Sequence, residues 1–341
     1  MNSLKRALTG PLGAILLAFV LAAIAMLLAG VSPVDGFEAL FIGALGGRNQ
    51  ISETLVQTSA LLFPALGITL AFRAGLFNIG AEGQLVIGGL AAGALGAHFA
   101  APTPIAILVL LAAGFIGGGA WGLIAGWLRA QFNANEIIST LMLNFVALAL
   151  ANYLVSGPLK ASAASGAETA PLPAASYLPA LIPGTRLSIA LLIAIATALV
   201  LRWVLMRTVF GYELRASGEA PEAARRNGVN LQRMTWLALS LSGAIAGLGG
   251  ATLVTGVLHR FNTQLSPGYG YTAIAVALVG DLNPLWVCVA AFGFGILEAG
   301  GLAMQALADV PKDAIHVIEG LIILVLAARR YVATRAEAAP I

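Results

Sequence analysis

The chain has 341 residues, of which 59% are hydrophobic and only 10% charged, with a formal net charge of +3. A soluble domain carries about 25% charged residues, so composition excludes an ordinary water-soluble fold and points to a chain built largely of membrane spans. The single cysteine, Cys288, excludes an internal disulfide and a cysteine metal site.

Taken in chain order, the apolar runs predict about ten spans, near 11–30, 52–72, 76–98, 104–128, 136–156, 187–206, 235–258, 265–280, 284–304 and 314–328. The first, behind Lys5 and Arg6, reads as a retained helix rather than a cleaved leader, because its apolar part is long enough to cross and further spans follow. The eighth is short enough to be a half-helix. Residues 157–186 are rich in Ser, Ala, Pro and Gly and read as an irregular loop. Residues 207–234 are polar and basic.

The distribution of Lys and Arg tests this count. With the N-terminus in the cytoplasm, 13 basic residues fall inside and 5 outside. The solution with both termini inside places the 157–186 loop in the periplasm and the 207–234 loop in the cytoplasm. Spans two to five and seven to ten then form blocks of opposite orientation, as in inverted-repeat transporters.

Residues 217–230, SGEAPEAARRNGVN, predict a short punctuated helix. Pro221 suits the first helical position. Glu219 and Glu222 suit the positive end, Arg225 and Arg226 the negative end, and Gly228 the stop. Ala223 and Ala224 leave a smooth face for a soluble partner. Residues 72–84 read FRAGLFNIGAEGQ, where Gly75, Gly80 and Gly83 weaken a helix and Asn78, Glu82 and Gln84 bring polar groups to a span. Such breaks survive in lipid only where protein buries them or they line a cavity, and an intramembrane carboxylate is a functional candidate. Close packing through small residues is the plainer alternative. Asn144, Tyr269 and Tyr271 join Phe72, Asn78, Glu82 and Gln84 as candidate path residues, because rings stack on aromatics and hydroxyls need amide or carboxylate partners.

Two stretches carry a family resemblance. Glu222-Ala223-Ala224, three residues, then Gly228 resembles the coupling signature of ATP-binding-cassette (ABC) importer permeases, without the extended ending of the maltose type. FRAGLFNIGAEGQ (72–84), NANEIISTLMLNF (133–145) and GYGYTAIAVALVGDLNP (268–284) resemble nucleoside-type permeases of the branched-chain amino acid, ribose and nucleoside group. The resemblance implies an all-α polytopic membrane protein of type II importer fold, with two inverted helix blocks and a discontinuous helix, in a bacterial inner membrane. It also implies three partners: an ATPase with two fused nucleotide-binding domains, a second homologous permease, and a substrate-capturing extracytoplasmic lipoprotein. ATP and Mg would sit on the ATPase. No lysine of this chain follows a glycine, so a phosphate-binding loop of the G-x-x-x-x-G-K type is excluded. Zinc-hydrolase and serine-hydrolase motifs are also missing. Nucleosides are the expected cargo, with a simple sugar or a branched-chain amino acid as alternatives. A proton-driven transporter using Glu82, Glu136 or Glu298 is a more distant one.

Overall fold

The structure is a computed structural model that describes residues 19–308, except 25, 28–29, 100 and 163–165, together with residue 320. The described residues hold helices α1 (Pro33–Leu45), α2 (Arg48–Arg73), α3 (Ala81–Gly96), α4 (Thr103–Phe132), α5 (Glu136–Ser156), α6 (Ala190–Arg207), α7 (Val209–Glu219), α8 (Pro221–Arg226), α9 (Leu231–Leu253), α10 (Tyr269–Val279) and α11 (Pro284–Ala308). Six of these, α2, α4, α5, α6, α9 and α11, are long and apolar enough to cross a membrane. Among the described residues no β-strand occurs, only two isolated bridges. The expected tenth span lies outside the described residues, as does much of the first, where residues 19–24 and 26–27 are helical.

Several boundaries differ from expectation. α1 falls between the first two expected spans, where no helix was expected. Its start was legible all the same: Ser32 caps it by accepting from the Asp35 N–H, and Pro33 opens it. The third span starts at Ala81 rather than 76, because α2 is closed by a glycine stop. Gly75 takes φ +74°, the Leu76 N–H donates to the Ala71 carbonyl, and the Gly75 N–H to that of Phe72. The helix expected over 217–230 is two. Ala220 is extended ahead of Pro221, as a residue before proline prefers, so Glu219 ends α7 and only Pro221–Arg226 forms α8. The expected stop at Gly228 is present: φ is +88°, and the Val229 and Gly228 N–H groups return to the Ala224 and Arg225 carbonyls. α10 has 11 residues, about 16 Å of helix against about 30 Å of hydrocarbon. It is a half-helix.

The chain divides into two compact units, one of residues within 1–54 and 293–341, the other 55–292. In the first, Gly43 lies against Ala303 and Gly300 against Leu40, so α1 and the end of α11 meet through small residues. In the second, the centre is a glycine seam. Gly114, Gly118, Gly122 and Gly126 recur every four residues on one face of α4. A Cβ at Gly118 would meet the Gly243 carbonyl and lie 2.6 Å from the Gly247 Cα of α9, and one at Gly126 would lie 2.7 Å from the Trp236 Cα. Small residues at this spacing let helix backbones touch, which is how membrane helices gain packing without a hydrophobic drive between them. α3 joins the same seam, its Gly88 backbone against Gly247.

Among its described residues the 157–186 segment is irregular apart from one 3-10 turn at Ala174–Ser176. It is nevertheless tied down. α9 ends in a π-turn over Val254–Leu258, with His259 at φ 58°. Carbonyls freed there accept from the loop: Thr255 from the Leu178 N–H at 3.0 Å, His259 from Leu172 at 2.8 Å, and Phe261 from Thr169 at 2.9 Å. Backbone groups away from water need such partners. Arg260 pairs with Glu168 at 2.7 Å, and the His259 ring stacks on Tyr177 at 3.6 Å. Cysteines introduced at Ala167 and Glu222 in a Cys288→Ser background should react with impermeant thiol reagents from opposite faces of the membrane; labelling from one face would break the expected topology.

Candidate substrate pathway and coupling loop

The break between α2 and α3 carries the chain back into the protein as an extended stretch, residues 76–80, before α3 starts. Asn78 is fully buried there. Its amide donates to Gln84 Oε1 and Ser242 Oγ, both at 2.8 Å, while its carbonyl oxygen accepts from the Gly80 N–H at 2.9 Å and from Gln84 Nε2 at 3.2 Å. Asn144 of α5, also fully buried, clasps the same turn from the other side. Its oxygen accepts the Gly83 N–H at 2.8 Å, and its amide donates to the Ile79 carbonyl at 2.8 Å and to the Tyr271 hydroxyl at 3.2 Å. Thr140 accepts from the Ile79 N–H at 3.2 Å. The Asn78 side chain, both backbone groups of Ile79 and the Gly80 and Gly83 N–H groups are thereby partnered, as buried polar groups require.

Glu82 sits in the first turn of α3 and reaches the first turn of α10. One carboxylate oxygen accepts the Gly270 N–H at 2.7 Å and the Ser266 hydroxyl at 3.0 Å. Ser266 in turn accepts the Gly268 and Tyr269 N–H groups at 3.2 and 3.0 Å. Helix N-termini carry partial positive charge and unpaired N–H groups. Here a carboxylate from the first turn of α3 meets the N-terminus of α10. The approach demands Gly270, where a Cβ would run into the Glu82 backbone. The Tyr269 hydroxyl donates to Gln57 of α2 at 2.6 Å.

Six of the seven path candidates are thus gathered around the starts of α3 and α10. Tyr271 is the most exposed of the six, at 38%. Phe72 is placed differently: it lies in the last turn of α2 and its ring packs on Phe77 at 5.0 Å. Thr140, Ser242, Ser266 and Gln57 belong to the network but were not singled out in the sequence. Their signal was weak, since Ser and Thr in apolar helices often bond only their own backbone. Glu136, one candidate proton carrier, is instead held by Arg129 at 3.3 Å across the α4–α5 turn. Glu298 is buried in the other unit.

In the 207–234 loop, Pro221, Glu222, Ala223 and Arg225 are exposed, with Glu222 and Arg225 paired at 2.9 Å. Ala224 is turned inward against Val229 and Met234, so Ala223 rather than Ala224 offers the free small-residue face. α7 and α8 flank a cleft of about 350 Å³ lined by Tyr212, Arg215, Glu219 and Ala223 among others.

Long apolar helices with a half-helix, α10, that meets the start of α3 on a buried polar cluster define a membrane permease. The family described as branched-chain amino acid transport system / permease component matches residues 50–327, and this chain belongs to it. It is 33% identical to a glucose ABC transporter permease protein of Haloferax volcanii, over 93% of this chain and 86% of that one. It is 33% identical to a guanosine ABC transporter permease protein of Bacillus subtilis, over 93% and 92%, and 31% identical to a nucleoside ABC transporter permease protein of Lactococcus lactis, over 96% and 93%. No solved structure matches.

Proposed function

We propose that this chain forms the translocation path of an ABC importer for uncharged polar solutes, with nucleosides first among them. The observation that carries the substrate class is Glu82. In transporters the N-termini of broken helices receive anionic groups of the substrate. Here that position is filled by the chain's own carboxylate, which disfavours a second carboxylate and therefore a branched-chain amino acid. The partly exposed Tyr271 ring, held by Asn144, adds an aromatic face for a base beside amide groups for ribose hydroxyls. Relatives named for guanosine, nucleosides and glucose are consistent with uncharged cargo.

In this reading the fold is that of a type II importer permease with about ten helices, both termini cytoplasmic, in a bacterial inner membrane. The two short helices support an inverted repeat, since α3 and α10 each follow the first long helix of their block. The 207–234 loop docks on an ATPase of two fused nucleotide-binding domains, which holds ATP and Mg and performs hydrolysis. A second homologous permease completes the path, and an extracytoplasmic lipoprotein delivers the substrate. Uptake of labelled uridine by the assembled transporter tests the substrate class. Unlabelled adenosine and guanosine should compete and leucine should not. Competition by glucose alone would replace the nucleoside with a sugar, and competition by leucine would overturn the argument from Glu82.

A further inference from the structure

Beyond its own neighbour α6, which Gly211 touches at Val204, the 207–234 loop makes a close backbone approach to the glycine stop of α2. A Cβ at Gly218, near the end of α7, would lie 2.6 Å from both the Arg73 carbonyl oxygen and the Gly75 nitrogen, and one at Gly75 would lie 2.9 Å from the Gly218 Cα. The loop therefore rests on the glycine stop of α2. From that stop the Arg73 side chain crosses to the far end of α10. Its Nε donates to the Leu282 carbonyl at 3.0 Å and its Nη2 to that of Asp281 at 3.3 Å. Asp281 and Leu282 both take left-handed conformations, at φ 50° and 53°, and the Leu282 N–H returns to the Ala277 carbonyl to close α10. A cation at a helix C-terminus is favoured by the helix dipole, and the guanidinium fork reaches two carbonyls at once, which an ammonium on a flexible stem does not reproduce.

We infer that Arg73 is a positioning residue that transmits displacement of the 207–234 loop to the half-helix α10. α10 is then gripped at both ends, by Arg73 at its C-terminus and by Glu82 at its N-terminus. Motion of the loop at Gly218 reaches the buried cluster by two routes from one joint. One runs along residues 76–80 to Asn78. The other runs through Arg73 and α10 to Gly270. The inference rests on the proposal that the loop receives the ATPase.

The test uses the complete transporter in vesicles, with its ATPase and binding protein, in a Cys288→Ser background. Arg73→Gln should leave the ATPase co-purifying and hydrolysing ATP, while uptake per ATP falls about tenfold or more, the scale expected for losing hydrogen bonds to a charged group. Arg73→Lys should fall between. Thr272→Cys, on α10, should change its rate of thiol modification on ATP addition in the parent, and lose that change when Arg73→Gln is added. Gly218→Ala should uncouple in the same way by wedging the joint. If Arg73→Gln fails to accumulate, Arg73→Lys and Gly218→Ala decide. Parental uptake per ATP and a parental Thr272→Cys response in the variants that assemble would overturn the inference. Ala223→Glu tests the underlying reading separately, since it should strip the ATPase from the membrane while leaving the Arg73 contacts intact. Retained ATPase in that variant sinks the docking proposal and not the joint.

Discussion

Gly118→Leu is expected to abolish accumulation of the protein in the membrane. Its first added carbon would meet the Gly243 carbonyl and lie 2.6 Å from the Gly247 Cα, and both obstacles are backbone. Extra volume in an ordinary core costs about 1–3 kcal/mol, because side chains shift to admit it. Nothing at this seam can shift except a whole helix. Separating α4 from α9 would also forfeit the contacts of Gly114 and Gly122, which meet the same helix. Gly293→Leu is the control: the same residue in the same class of helix, but with no atom within 4 Å of the new Cβ. Membrane yield and resistance to thermal aggregation in detergent should drop for Gly118→Leu and hold for Gly293→Leu. Equal yields for the two would mean that the seam does not hold the helices together.

Glu82→Ala is expected to remove transport while the protein still inserts. The substitution leaves the buried Gly270 N–H without its acceptor and removes the carboxyl group that links the first turn of α3 to that of α10. An unmade buried hydrogen bond costs about 1–3 kcal/mol, and each ~1.4 kcal/mol is a factor of ten in an equilibrium. A loss of about tenfold or more in uptake is therefore expected if the clasp orders α10 during the cycle. Glu82→Gln separates geometry from charge. Its oxygen can accept the same two bonds, so uptake should lie between the parent and Glu82→Ala. Uptake in vesicles, normalised to inserted protein, reads both. Parental transport by Glu82→Ala would show the clasp to be dispensable. Equal loss in both variants would assign the effect to charge alone.

Much of this was legible locally. The two helix stops at Gly75 and Gly228 follow from residues within one turn of each, because a left-handed stop needs only glycine and the carbonyls just before it. Pro221 announced a helix start, and the same proline hid the break before it: the extended Ala220 separates α7 from α8 and moves Glu219 from the expected start of a helix to the end of another. The glycines of α4 at 114, 118, 122 and 126 were a readable four-residue repeat. The sequence reading nevertheless weighed small-residue packing only as the alternative at residues 72–84. Both elements are present together: a seam of glycines holds the helices, and the polar break lies beside it.

Composition, hydropathy and punctuation determined the class, because each is a property of neighbouring residues or of the whole chain. They marked a membrane protein of many helices, a break after Phe72, a short span over 265–280 and a capped helix within 217–230. Only the tertiary structure decided what the polar residues do. Asn78 meets Ser242 across 164 positions, Glu82 meets Gly270 across 188, and Arg73 meets Leu282 across 209. Periodicity shows which face of a helix is apolar, but not which distant helix end that face will meet. That choice follows from the close approach of α3, α4 and α9 along their glycines, and of Gly270 to the Glu82 backbone, which sets the first turn of α3 against that of the half-helix α10.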